Sequence, residues 1–304
     1  MVVLFFILAI TTSVLSAFAY KLGSTRMGKN WAAPAALCMF YMGLSTLISL
    51  ALCAFDGGLS FSKETLLCAI LSGVSFALAA YLYLTSMRIG PFTLSAAFIN
   101  LSTFMPIIYS AVFLNEKLTL LQMIGFILMV GIVIVFTTSK EEKSGNKVNK
   151  RWIVFIISTF FVNSLIAFGL RIQSKLLIGT EKSQMLFLYF LIATITSAII
   201  FLITKGCKAL KWQEGAGDAA IKDPIYLKNL LLPCSMLAVI LFLNIYANST
   251  LPDYVTSVVH YPILSGSSLI ISTLIGKVLF KEKFPKRVYF AILSGIAVII
   301  MLSI

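Results

Sequence analysis

Leu114-Asn115-Glu116-Lys117-Leu118 and Phe280-Lys281-Glu282-Lys283-Phe284 form the same kind of corner, 166 positions apart, and each separates two long apolar stretches. The first corner lies between residues 92–114 and 120–137, the second between 255–280 and 288–304. Outward from these corners the pattern continues: residues 2–20, 32–55, 66–87, 153–170, 185–203 and 230–246 are apolar as well. Ten runs result, each close to the roughly 20 residues that a helix needs to cross the hydrocarbon of a bilayer. The runs do not alternate in polarity, as barrel strands would. A helix satisfies its backbone polar groups within itself, which lipid requires. The spacing therefore predicts an all-α membrane protein of ten transmembrane helices.

Composition agrees. The chain has 304 residues, of which 60% are hydrophobic and 12% charged, with a mean hydropathy of +1.00. Soluble domains carry roughly 25% charged residues. The net charge of +13 does not point to nucleic acid, because the charges sit in short connectors beside apolar runs, where membrane lipid headgroups meet them. The five cysteines, Cys38, Cys53, Cys68, Cys207 and Cys234, are odd in number and unpatterned, which favours packing over a disulfide framework. Ala17-Phe18-Ala19 resembles a signal-peptidase site, but no basic residue precedes the first run and the run exceeds a signal core; a retained helix is expected.

Charge also orients the chain. Connectors alternate sides, and one set holds nineteen of the lysines and arginines, from Lys21 to Arg287; the other holds Lys63, Lys117, Arg171, Lys175 and Lys182. The positive-inside rule assigns the first set to the cytoplasm and both termini to the outside. A multi-pass protein of the cell membrane, of the bacterial inner or plasma type, is the expected setting.

The corners are part of a wider repeat. At a shift of 163, Tyr83 falls on Tyr246, Ser86 on Ser249, Thr93 on Thr256, Leu101 on Leu264 and Ser102 on Ser265; at 166 the Glu-Lys pairs coincide. The difference amounts to about one helical turn inserted in the ninth run. Residues 1–137 and 152–304 are read as two five-helix repeats joined by a linker at 138–151, rich in charge with a glycine and asparagines. An odd number of helices per unit inverts the second, and inverted repeats are a recurring plan of secondary transporters, with the substrate near the midplane.

In the two corners, together with Gly125-Phe126-Ile127-Leu128 and Ala291-Ile292-Leu293-Ser294-Gly295 after them, the chain resembles the EamA-type, ten-helix members of the drug/metabolite transporter superfamily. The resemblance runs over essentially the whole length. It implies a basket-like bundle in which helices one to four and six to nine surround a central cavity, with five and ten at the periphery, and transport of small metabolites, amino acids among them. Members of the family place both termini in the cytoplasm; the charge count here departs from that.

Polar side chains at membrane depth face the bundle interior. Asn244 and Asn248 share one helix face, and the 163 shift maps them onto Tyr81 and Thr85. Asn100 and Thr103 in the fourth run, Asn163 in the sixth, and Ser257, His260 and Tyr261 in the ninth complete the expected cavity lining. His260 is the only histidine and is either a pH-sensitive gate or a packing residue. Glu116 and Glu282 read as caps at helix starts. No run has a carboxylate well inside it, so proton exchange on a buried acid is not expected. A membrane-embedded enzyme would need clustered His, Asp or Glu, and ATP-driven pumping a glycine-rich phosphate loop; neither pattern occurs. A receptor or assembly subunit without transport is the remaining alternative. The expectation is a transporter, not an enzyme, with a small-molecule substrate and no cofactor or metal.

Overall fold

The computed structural model describes residues 2–26, 31–56, 58–90, 92–102, 105–113, 119–121, 124–125, 127–128, 150–177, 180–209, 224–278, 290 and 293–294. These form α1 (Val2–Arg26), α2 (Ala32–Phe55), α3 (Lys63–Ile89), α4 (Phe92–Ser102), α5 (Met105–Phe113), α6 (Lys150–Leu177), α7 (Lys182–Ala209), α8 (Pro224–Thr250), a 3-10 turn (Leu251–Asp253) and α9 (Ser257–Val278). No strand occurs among the described residues. Seven of the helices are long and apolar enough to cross a membrane, and α4 with α5 covers the fourth run. The fifth and tenth runs, the 138–151 linker and both Glu-Lys corners lie almost wholly outside the described residues.

Most helices outrun their apolar stretches. The sixth run, 153–170, becomes the helix Lys150–Leu177, because charged ends stay helical while their heads reach the interface. Ser62 caps α3 by accepting from Thr65 N at 3.2 Å, and Glu64 in the first turn complements the helix dipole. Gly58, at φ 95°, ends α2 with a backbone bond to Cys53 O, a left-handed turn that glycine adopts at no steric cost.

The polarity of the bundle is that of a membrane protein. Large apolar side chains are exposed, among them Leu4, Leu47, Leu67, Val154, Ile195 and Leu202, while Ser45, Ser49, Ser86, Thr159 and Ser197 are fully buried. Buried hydroxyls bond back to their own helices, as Thr46 does to Met42 O and Thr159 to Phe155 O, and some cross between helices. Ser45 reaches Ala238 O at 3.1 Å, and Thr46 meets Thr194 at 3.1 Å.

The centre of the bundle is α2 against α7 and α3 against both α6 and α7. Small residues bring these helices close. A Cβ on Gly73 would lie 2.7 Å from the Tyr189 carbonyl oxygen, and one on Gly169 would fall onto Ser72 Oγ. Around these crossings pack Tyr41, Met42, Phe76, Leu84, Met185, Tyr189 and Phe190, all buried. Around this centre α8 packs on α1 and α2, α9 on α1 and α4, α4 and α5 on α6, and α1 on α3. Cys38, Cys53, Cys68 and Cys234 are buried free thiols.

Candidate functional site: a cavity between six helices

Six helices surround a cavity of about 180 Å³. Each contributes a stripe at helical spacing. Ser13, Ser16, Ala17 and Tyr20 come from α1; Phe76, Ala79, Ala80 and Tyr83 from α3; Ala96, Ile99 and Asn100 from α4. Asn163, Ile166, Ala167 and Leu170 come from α6; Leu241, Asn244, Ile245 and Asn248 from α8; Tyr261, Leu264, Ser265, Ser268 and Ser272 from α9. Among these described residues none carries a formal charge, so the wall is built of hydroxyls, amides and apolar or aromatic faces.

Asn100, Asn163, Asn244, Asn248 and Tyr261 therefore sit around one space. Asn244 Nδ2 donates to Ala9 O at 3.1 Å, Thr12 Oγ1 at 3.0 Å and Ser13 Oγ at 2.8 Å, which ties α8 to α1. Asn248 Nδ2 donates to Asn244 O at 2.8 Å and approaches Asn244 Oδ1 at 3.3 Å. Asn163 Nδ2 donates to Ser102 Oγ at 2.7 Å, joining α6 to α4. Tyr261 OH donates to Ala167 O at 3.1 Å, joining α9 to α6.

Tyr81, Thr85 and His260 are not part of this wall. The Thr85 hydroxyl bonds within α3, to Tyr81 O at 2.7 Å. His260 is buried between Phe6 and Tyr261, at centroid distances of 6.1 and 4.6 Å, and neither ring nitrogen has a partner among the described residues. Thr103 lies outside the described residues, as does the Ser257 side chain.

The displacement of Tyr81 and Thr85 has a simple cause. The stripe 76/79/80/83 on α3 matches 241/244/245/248 on α8 at a shift of 165, and 96/99/100 on α4 matches 261/264/265 on α9 at the same shift. The lining stripes thus correspond at a shift two residues away from 163, which is about 200° around a helix. That rotation carries Tyr81 and Thr85 to the face opposite the cavity stripe.

One end of the bundle is tied by polar contacts between connectors. Glu181 Oε2 accepts from Ser62 N at 2.9 Å, Ser62 Oγ at 2.8 Å and Thr65 Oγ1 at 2.5 Å, so it caps the start of α3 from the α6–α7 connector. These donors, Ser62 N–H first, hold its carboxyl below the usual carboxylate range against a smaller opposing burial effect. Glu181 keeps φ at 55° despite its side chain, a backbone strain held in place by these bonds. Next to it Lys182 pairs with Asp253, which also accepts from Ser174 Oγ at 2.5 Å. Gln184 donates to Gly58 O at 3.0 Å, and Arg171, buried inside α6, donates to Pro252 O at 2.6 Å. Thus the α2–α3, α6–α7 and α8–α9 connectors hold one another. At the other end Lys21 Nζ donates to Met87 O at 3.2 Å, and Trp152 Nε1 to Ser95 Oγ at 3.1 Å.

Sequence patterns missed Arg171 and Glu181. Arg171 lies within α6 but past the end of the apolar run and was counted only as a connector charge, Glu181 was not singled out, and their partners are distant along the chain. Among the described residues no three His, Cys, Asp or Glu side chains gather to hold a metal ion.

No curated protein matches the chain. A solved structure titled only "Crystal structure of protein" shares its fold, with a TM-score of 0.62 at 13% identity, covering 99% of this chain and 95% of the other. The family model described as the EamA-like transporter family matches residues 1–138, the segment that carries α1 to α5 and the first Glu-Lys corner. Over that segment the chain is similar to the EamA-like transporter family, and its seven long apolar helices are those of a multi-pass membrane protein.

Proposed function

We propose that this protein is a secondary transporter that carries a small polar or amphipathic metabolite, of amino-acid size, across the cell membrane by alternating access. The observation that carries the reading is the composition of the cavity wall. Residues 1–137 supply α1, α3 and α4, residues 152–304 supply α6, α8 and α9, and the stripes correspond at a shift of 165.

The packing supports two inverted five-helix repeats within a ten-helix chain. Exchange α1 with α6, α2 with α7, α3 with α8 and α4 with α9. The α1–α8 contact then becomes α6–α3, α1–α9 becomes α6–α4, and α2–α7 maps onto itself; all of these contacts exist. Two halves related in this way can trade conformations, which opens the cavity first to one side and then to the other. The connector ties around Glu181 and Asp253 are the natural closure of one side. By the lysine and arginine asymmetry, that side is extracytoplasmic, as are both termini.

The test is flux. Purified protein is screened by thermal shift against amino acids, nucleosides, sugars and organic cations, since a ligand of the folded state raises its stability. Stabilising compounds are then offered to proteoliposomes. Uptake above that of empty vesicles is expected; stabilisation without uptake in either direction would make the chain a receptor and overturn the proposal.

A further inference from the structure

Two hydrogen bonds at opposite ends of the bundle correspond to each other. The α1 stripe of the cavity wall, from Ser13 to Tyr20, matches the α6 stripe, from Asn163 to Leu170, position for position at a shift of 150. The α3 stripe, from Phe76 to Tyr83, matches the α8 stripe, from Leu241 to Asn248, at a shift of 165. One residue past the first two stripes, Lys21 falls on Arg171. About one helical turn past the other two, Met87 falls on Pro252. Lys21 Nζ donates to Met87 O at 3.2 Å; Arg171 Nη1 donates to Pro252 O at 2.6 Å and approaches Val255 O at 3.4 Å. Both bonds lie outside the stripes that define the shifts, and both obey them.

Each cation meets the C-terminal end of a wall helix. Met87 stands in the last turn of α3, and the residue four positions on is Pro91, which has no N–H to give its carbonyl. Pro252 stands in the 3-10 turn that follows α8. A positive side chain at such a place complements the negative end of the helix.

The packing gives these bonds leverage. α1 packs extensively along α8, and α3 along α6, and the repeat exchanges these two pairs. Contact between the pairs is sparser and runs through α1 with α3 and through α6 with α8. At one end Tyr20 meets Tyr83 edge to face at 5.8 Å, beside Lys21. The Arg171 contact is at the other end: Val2, Phe5 and Phe6 pack in one cluster with Leu251, so α1 begins near Pro252 and reaches Lys21 roughly 30 Å away.

We propose that Lys21 and Arg171 are repeat-related latches, each joining the α1–α8 pair to the α3–α6 pair at one end of the cavity, and that release of either opens the cavity at its own end. This rests on the transport reading above and names the side chains that alternate in it.

The experiment needs no solute. Ser268→Cys, on the cavity wall, is placed in the full-length protein without its five native cysteines, in sealed membrane vesicles of each orientation. An impermeant maleimide is applied from outside the vesicles. Lys21→Met and Arg171→Met remove the donor and keep an apolar side chain. Loss of one hydrogen bond to a charged group in a partly wet seam should speed labelling by about fivefold or more. Lys21→Met should do so from one membrane face only, and Arg171→Met from the opposite face only. Lys21→Arg and Arg171→Lys, which keep a charged donor, should label near the parent rate. If a methionine variant does not reach the membrane, Lys21→Gln or Arg171→Gln takes its place, with a smaller change at the same face. Faster labelling from both faces, from the same face in both variants, or no change in either one would overturn the latches. Face-specific labelling in a protein that carries none of the panel solutes refutes transport and leaves the latches standing; flux without face-specific labelling does the reverse.

Discussion

Glu181→Gln should loosen the end of the bundle that the connectors hold together. The change preserves shape and the left-handed backbone of residue 181 but removes the charge that three donors share, Ser62 N at 2.9 Å, Ser62 Oγ at 2.8 Å and Thr65 Oγ1 at 2.5 Å. A hydrogen bond to a charged group contributes about 1.5–3 kcal/mol and a neutral one about 0.5–1.5, so each bond loses about 1 kcal/mol where it is dry. The connector is partly exposed, and solvent screening reduces the total to about 1–2 kcal/mol. That multiplies the open fraction by about 5–30. The assay places a single cysteine at the lining position 268, Ser268→Cys, in a background without the five native cysteines. An impermeant maleimide is then applied from the side of the connectors. Labelling should accelerate by that factor in Glu181→Gln. Acid should act the same way on the parent. The Glu181 carboxyl is held below the usual carboxylate range, so its contribution is complete above about pH 4.3 and is lost as pH falls through the lower folded value; labelling should rise over that window and stay flat in Glu181→Gln. An unchanged rate in the variant, at equal protein in the membrane, would refute the role of these bonds in closure.

Four further outcomes are expected. Asn244→Leu removes the amide that holds α8 to α1; with interhelical bonds averaging about 0.6 kcal/mol and reaching about 1.7, the protein should remain in the membrane while solute flux falls several-fold. His260→Phe replaces a ring whose nitrogens have no described partner, set between Phe6 and Tyr261; melting temperature should hold or rise, since an unpaired buried polar group costs about 1–3 kcal/mol, and the pH profile of flux should not move. Gly73→Ala places a methyl 2.7 Å from the Tyr189 carbonyl oxygen and 3.0 Å from Ile192 Cβ; a loss of about 1–3 kcal/mol should appear as a lower melting temperature. A reporter fused after Ile304 should read extracytoplasmic, and a cytoplasmic signal would reverse the orientation drawn from the charged connectors.

The positions of the described helices, though not their ends, were legible in the chain because lipid imposes a local rule. A run must be long, apolar and internally hydrogen-bonded, and each of these is a property of consecutive residues. The run 32–55 coincides with α2, and the runs 66–87 and 185–203 lie within α3 and α7. Which polar residue faces the hollow is a different kind of fact. Asn244 and Tyr81 are both polar and both mid-helix, yet Asn244 lines the cavity and Tyr81 does not, because a two-residue error in register turns a helix by about 200°. His260 and Tyr261 are neighbours in sequence and are divided in the same way. Glu181 reads as one more charge in a connector until the fold brings it against Ser62, 119 positions away. Hydrophobic length is written locally and decides how many times the chain crosses the membrane. Rotation of each helix and closure of the ends depend on contacts between distant segments, which exist only once the bundle has packed.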